Sequence, residues 1–360
     1  MASALQAAMQ TDLLIVGGGL SGLSLAMRLQ AAGVDYLLID ARDRLGGRIK
    51  CAQHDGNAYD LGPAWFWPGQ PRMLDLIQRL DLIAFAQQAQ GDALYEDDGG
   101  RVQRARGFAS MQGSWRIDGG MAALIDRMAA TLPVERILTG SAATTLTDGT
   151  QGVSVMLADG RNIDARRVAL AIPPRLAAAS LGFAPALPDT ALNVMADVPT
   201  WMAGQAKAVA IYDTPFWRDA GLSGDAMSQR GPLAELHDAS PADHSAGALF
   251  GFIGLPVAAR VNQHALEQAI RAQLGRLFGP AAQAPDALHI KDWAADPFCA
   301  TDADQAPLFA HPRYGKPAAL SDLWGGRLLF AGTEVAPEFG GYLEGALAAA
   351  EAAALTFCAP

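Results

Sequence analysis

Short uncharged apolar runs alternate with stretches of helical spacing along this chain. Residues 13–16 form an apolar run of the length expected for a strand buried on both faces of a parallel sheet. Glycines follow, then apolar positions at helical spacing over residues 23–32, with Gly33 as the stop signal. Residues 36–39 are a second buried run, so the first forty residues predict a βαβ unit. Residues 1–10 read as a ragged start. Farther on, residues 153–157 alternate as a strand does, Asp159-Gly160 is a hairpin turn, and residues 162–172 return as the partner. Pro173-Pro174 breaks the chain. Residues 204–212 alternate again, residues 257–278 have helical period, and residues 327–330 read as a strand. A glycine-rich turn then leads into a helix over residues 342–357. There is no internal repeat and no low-complexity linker.

Composition narrows the picture. Of 360 residues, 51% are hydrophobic and 18% charged, which excludes a disordered chain. The charged fraction is below the usual ~25% and points to extensive buried surface, as around a large cofactor. A net charge of -10 argues against nucleic acid and against an anionic membrane surface, and mildly favours cationic partners. Cys51, Cys299 and Cys358 are widely spaced and odd in number, with neither a disulfide framework nor metal-ligand spacing. A reducing, cytoplasmic setting and no metal are expected. Residues 13–27 carry no charge, but Asp12 precedes them and four glycines interrupt them. They are also shorter than the ~20 residues of a membrane span, so neither a signal core nor a span is expected. Residues 346–360 are alanine-rich but contain Glu351, as in a helix lying on a core.

The first apolar run ends in Gly17-Gly18-Gly19-Leu20-Ser21-Gly22, a G-x-G-x-x-G between strand and helix. Gly17 permits the tight turn, Gly19 lets a pyrophosphate approach the backbone, and Gly22 lets the helix pack on the strand. The helix N-terminus offers free N–H groups to phosphates. Asp40 ends the second strand, placed to accept a ribose hydroxyl. Dinucleotide-binding pieces thus lie at the start, middle and end. The predicted fold is α/β (α+β overall), with a discontinuous Rossmann-like domain of residues 10–70, 112–173 and 292–358. Residues 71–111 and 174–291 form a substrate domain of mixed sheet and helices.

The next residues resemble a known family. Arg42-Asp43-Arg44-Leu45-Gly46-Gly47-Arg48 follows Asp40-Ala41, and the run is similar to the "E-A-R-D-R-x-G-G-R" of flavin-containing amine oxidases. Asp40 stands in place of the family's glutamate. Gly46, Gly47 and Arg48 can form a second pyrophosphate clamp, with Arg48 giving charge-assisted bonds. The resemblance implies FAD rather than NAD. It continues in Asp60-Leu61-Gly62-Pro63-Ala64-Trp65 along the flavin and in Gly119-Gly120-Met121 at a helix start. Ala143 stands where the family's backbone meets the adenine. The closing pair, Ala331-Gly332-Thr333-Glu334 and Gly341-Tyr342-Leu343-Glu344-Gly345, is the most specific signature. There the family places a glutamate, here Glu334, near the ribityl or phosphate region. The last helix N-terminus faces the flavin pyrimidine, where Tyr342 and Leu343 N–H groups would stabilise the reduced ring's charge.

Gly204-Gln205-Ala206-Lys207 and Pro215-Phe216-Trp217 resemble the segment whose lysine holds a water against the flavin. By strand parity Lys207 faces the apolar side with Val209 and Ile211, where a lysine needs partners or loses its proton. Trp293 resembles the tryptophan that packs beside that lysine. Lys207, Tyr342 and Trp293 are the catalytic candidates; Trp65, His237 and Tyr342 are candidates for the substrate cavity. Asp302 stands where mammalian-type members carry a flavin-linked cysteine, so FAD is expected to be non-covalent. The second aromatic of the amine cage falls near Ala303. The substrate domain is shorter than the family's, leaving an open cavity or one roofed by a second copy in a homodimer. The resemblance implies oxidation of a small amine, with oxygen as acceptor and hydrogen peroxide as product. Two alternatives stay open: a desaturase or protoporphyrinogen-oxidase-like enzyme, and a non-catalytic flavin-binding protein.

Overall fold

The computed structural model describes residues 9–107, 110–306, 308 and 310–358. Among them no helix is long and apolar enough to cross a membrane, and no cluster of side chains could hold a metal ion. The chain is α/β, with two large sheets.

The first sheet is centred on Met9–Val16, paired in parallel with Tyr36–Ile39 on one side and Asn162–Leu170 on the other. Every apolar residue of 13–16 is buried because both faces are covered. Leu13 and Ile15 join a core with the helices Leu20–Ala31, Gly120–Ala130 and Leu343–Cys358. Leu14 and Val16 face Ala177, Ala191 and Met195 of the helices Pro174–Ser180 and Asp189–Asp197. The strand order is Gly182–Ala184, Ala143–Gly149, Gly152–Leu157, Asn162–Leu170, Met9–Val16, Tyr36–Ile39, Ile137–Leu138. Leu328–Phe330 pairs with Val168–Leu170, beyond the point where the hairpin strand has ended. The C-terminal strand is thereby brought beside the first βαβ unit.

Several boundaries differ from the sequence expectation. Met9 and Gln10 belong to the sheet, through Ile163 and Asp164; residues 1–8 of the expected ragged start lie outside the described residues. The first helix begins at Leu20, not at residue 23, since Gly19 is its N-cap and the end of the glycine motif is its first turn. Gly182–Ala184 pairs with Ala143–Gly149 and so sits in the first sheet, although the boundary at residue 173 puts it in the other domain. The helix expected over 257–278 is a short turn, Val257–Ala259, and a separate helix, Gln263–Phe278. Asn262 opens the latter by accepting the Ala265 N–H at 3.0 Å.

The second sheet runs Ala287–Asp292, Ala206–Tyr212, Gly247–Ile253, Leu233–Asp238, Leu222–Ser228, Asp92–Glu96, Val102–Ala105. Ala206–Tyr212 is buried at every position. Up to Ile211 its alternation separates alanines from larger side chains, not inside from outside, and Tyr212 falls on the alanine face. Ala206, Ala208 and Ala210 face the helix Gln263–Phe278, while Val209 and Ile211 face Tyr59, Leu61 and Trp65. The buried Glu344 carboxylate accepts the N–H groups of Arg72 and Met73 at 3.1 and 2.9 Å. This caps the helix Pro71–Arg79 and ties it to the last helix.

Candidate active site

One cavity of about 380 Å³ lies where the two sheets meet, and its wall joins the glycine turn to Lys207. At the nucleotide end the wall is mostly backbone. Gly17 has φ 110°, a conformation that favours glycine. A Cβ on Gly22 would lie 1.9 Å from the Gly17 carbonyl oxygen, so helix and turn touch only because that side chain is absent. A Cβ on Gly19 would meet nothing nearer than 3.9 Å, which leaves open space at the position expected to admit a phosphate. The Gly46 N–H donates to the Gly18 carbonyl at 2.8 Å, bringing the second glycine pair against the first turn. Ser21 Oγ donates to the Ala331 carbonyl, joining the first helix to the closing segment.

Asp40 is buried and fastens this end. Its Oδ2 accepts the Gly18 N–H at 2.7 Å and its Oδ1 the Arg42 N–H at 2.8 Å. Each oxygen keeps a lone pair, and Asp40 lines the cavity. Arg48 pairs with the wholly buried Glu334 at 2.6 Å. Burial pulls the Arg48 guanidinium down, but Glu334 outweighs this and holds it above its ordinary value. Glu334 Oε2 has no hydrogen-bond partner among the described residues.

At the other end side chains dominate. Lys207 Nζ donates to the Gly62 carbonyl at 2.6 Å and lies 5.6 and 5.1 Å from the Phe250 and Phe252 ring centres. Burial lowers its pKa to about 8, against the opposing pull of Asp60. Trp293 Nε1 donates to the preceding carbonyl, Leu61, at 2.8 Å. Lysine and tryptophan thus fix neighbouring carbonyls of the segment that continues into Pro63, Ala64 and Trp65. Cys299 packs with Trp293 in the same wall, and burial pushes its thiol up to about 11. Tyr342 stacks on His311, centroids 4.8 Å apart.

The structure brings Gly17, Gly19, Leu20, Ser21, Asp40, Arg42, Gly46, Gly47, Arg48, Gly62, Pro63, Ala64, Trp65, Lys207, Trp293, Thr333, Gly341, Tyr342 and Leu343 to this one cavity. Ala41, Gly332 and Ala143 are not in its wall; Ala143 pairs across to Leu157 in the first sheet. Gly22 and Glu334 lie behind it. Two expectations are corrected. The Tyr342 N–H is not free, because it donates to the Phe339 carbonyl at 3.0 Å; Leu343 is the first helical residue with an N–H to offer. His237 does not reach the cavity. It is buried between Asp225 and Glu235, its Nδ1 and Nε2 each 2.9 Å from a carboxylate oxygen, and Glu235 takes the wall position. Strand parity puts residues 235 and 237 on one face but does not say which is nearer the opening. Trp67, Met111, Trp201 and Phe252 also line this end without prior signal, since they come from separate segments. Trp201 and Tyr342 supply aromatic walls although the expected second cage position falls on Ala303.

The chain belongs to the flavin containing amine oxidoreductase family, which matches residues 102–355; an NAD(P)-binding Rossmann-like domain matches residues 15–80. It is 24% identical over 443 residues to the probable flavin-containing monoamine oxidase A of Dictyostelium discoideum, spanning 93% of this chain and 95% of that protein. Among solved structures, putrescine oxidase bound to putrescine aligns at TM-score 0.82 and 21% identity over 98% of this chain and 100% of its own. Cyclohexylamine oxidase from Brevibacterium oxydans IH-35A aligns at TM-score 0.80 and 20% identity over 97% and 98%. The residues fit the flavin this family carries: open space beside Gly19, a buried glutamate oxygen without a partner, and an arginine in the wall beside it.

Proposed function

We propose that this protein is an FAD-dependent oxidase of primary or secondary amines. The observation that carries the reading is a single cavity walled by the glycine turn at one end and by a buried, easily neutralised lysine at the other. Bound FAD supplies a two-electron acceptor: the carbon beside nitrogen loses a hydride equivalent, water hydrolyses the imine, and oxygen leaves as hydrogen peroxide. Gly17, Gly19, Leu20, Ser21 and the Gly46–Arg48 segment hold the pyrophosphate, and Asp40 accepts ribose hydroxyls. Glu334 would act on the ribityl or phosphate side through Arg48, which lines the wall in front of it. Leu343 directs its N–H at the pyrimidine end, where the helix dipole favours negative charge. Lys207 Nζ spends one donor on Gly62 and retains capacity to hold a water. Trp65, Trp293 and Tyr342 exclude solvent around the amine.

FAD is held without a covalent bond in this reading. Cys299 is the cysteine in the wall, and burial keeps it a thiol rather than the thiolate that attacks. Anaerobic mixing of the flavin-loaded protein with an amine panel should bleach the flavin absorbance, and air should then restore it with one peroxide per turnover. Acid precipitation should leave a colourless pellet. Failure of every amine to bleach the flavin would overturn the reading, and yellow pellets would overturn its non-covalent part.

A further inference from the structure

Among the described residues, the charged side chains on the elements packed against Lys207 have ion-pair partners, with one exception. Lys291 stands opposite Lys207 on the neighbouring strand, and its Nζ ends on Asp296 at 2.7 Å. On the other side Phe252 lies opposite Lys207 and Glu235 opposite Phe252, and Glu235 ends on His237 at 2.9 Å. Arg48, farther along the wall, pairs with Glu334. Burial keeps His289, Tyr59 and Cys299 uncharged through the neutral range. The exception is Asp60. It ends the strand Asn57–Asp60, two residues before the Gly62 carbonyl that holds Lys207. Two residues span at most about 7 Å of backbone, so the two charges are near, although no ion pair joins them.

Asp60 is buried, and its carboxylate is only half used. Oδ1 accepts the Cys51 thiol at 3.0 Å and the Met121 N–H at 2.9 Å, at the start of the helix Gly120–Ala130. Oδ2 accepts no hydrogen bond among the described residues. Arg116, buried nearby, gives its terminal nitrogens to the Ala239 and Ser240 carbonyls at 2.9 and 2.8 Å. Burial pushes the Asp60 carboxyl up, while Cys51, Arg116, Met121 and Lys207 pull it back. Capping the helix accounts for Oδ1, and an asparagine would cap it as well without burying a charge. The cations that answer Asp60, Arg116 and Lys207, do so across space. In a dry interior that is enough for one charge to bias the next.

We infer that Asp60 is a positioning residue for the reaction: its carboxylate, acting across the Leu61–Gly62 segment, sets how readily Lys207 keeps its proton, and so sets the pH at which the lysine changes its role beside the flavin. This rests on the amine-oxidase reading and deepens it. Without Asp60 the lysine would face only a carbonyl and two aromatic rings, and burial would leave it neutral to lower pH.

The test reads the lysine directly. The chain has four lysines, Lys50, Lys207, Lys291 and Lys316, so carbon-13 labelling at lysine Cε gives few signals, and Lys207→Met assigns the one in question. In the flavin-loaded wild type that signal should titrate near pH 8. In Asp60→Asn it should titrate about one pH unit lower, which raises the neutral fraction at pH 7 about fivefold. The pH limb of flavin reduction or reoxidation that Lys207→Met abolishes should move down with it, in stopped-flow traces. Cys51→Ser, which keeps the carboxylate and a donor to Oδ1, should move neither. A merely structural role predicts the opposite sign, because loosened packing admits water and raises the lysine toward its ordinary 10.5. Asp60→Ser reads the same shift should the amide disturb folding. A Lys207 signal that titrates alike with and without the Asp60 charge, or that moves upward, would overturn the inference and leave amine oxidation in place. A signal that moves down as expected in a protein that oxidises no amine would sink the oxidase reading and keep the link between Asp60 and Lys207.

Discussion

The two ends of the cavity are built from different materials. At the nucleotide end recognition is by backbone: Gly17, Gly19, Gly22 and Gly46 act through side chains they lack, and Asp40 spends its carboxylate on holding two loops together. At the substrate end it is by side chains drawn from distant segments: Trp65, Lys207, Glu235, Phe252, Trp293 and Tyr342. A backbone site is rigid and tolerates no added atoms. A side-chain site tolerates substitution and retunes what it binds. The first should therefore fail as a whole, and the second should fail in one property at a time.

The largest effect should come from Gly22→Val. Its branched side chain would enter space held by the Gly17 carbonyl, and backbone cannot step aside as a flexible side chain can. We expect a loss of roughly 3–5 kcal/mol and a colourless protein, checked by thermal unfolding and by the flavin content of purified material. Next is Lys207→Met, which keeps the volume and removes the nitrogen. It should retain flavin and slow reduction or reoxidation by about a hundredfold, in stopped-flow traces. The wild-type rate should climb with pH through about 8 as Lys207 loses its proton, and the variant should lack that limb. Asp40→Ala should be milder, because it strands two N–H groups without adding bulk. About 2 kcal/mol, or roughly thirtyfold in flavin affinity, is expected from titration of the stripped protein. A Gly22→Val protein that stays yellow, or a Lys207→Met protein that loses its flavin, would erase the contrast between the ends.

The same contrast explains what could be read from the residues alone. The glycine turn, its strand and Asp40 are contiguous within thirty residues, so spacing carries their geometry. Lys207 was legible for another reason: strand parity and the flanking Gly204 and Pro215-Phe216-Trp217 marked it. The row Lys207–Phe252–Glu235 depends on the register of three strands, and register is a tertiary property that no local pattern encodes. His237 shows the cost. It was a candidate for the substrate cavity, but depth within a sheet depends on what packs above it, and Trp65 and Asp225 bury it. The Tyr342 N–H was misread because the Phe339 turn that consumes it is set by the backbone on entry to the helix.

The smallest effect concerns stability and sharpens the comparison through His237. Burial alone would lower its pKa, but the bonds from Asp225 and Glu235 outweigh burial and raise it to about 8, above the ordinary 6.5. Between those values the folded protein holds a proton that the unfolded chain releases. The stabilisation is therefore fully present below pH 6.5 and lost as pH rises through 8, a change of about 2 kcal/mol at most. Lys207 works in the opposite sense. Its lowered value makes folding costly below about 8, and the cost is relieved as pH climbs toward 10.5. Above pH 9 the buried thiols Cys51 and Cys299, both pushed upward by burial, oppose that relief. Each limb is thus read as a difference from wild type in urea unfolding across pH 6 to 9. His237→Gln should flatten the falling limb and leave the Lys207 limb in place. A falling limb unchanged in His237→Gln would mean that the imidazolium between the two carboxylates does not exist. Glu235 would then be no better fixed than a solvated carboxylate, and the substrate end would lose one of the charged groups its side chains hold in place.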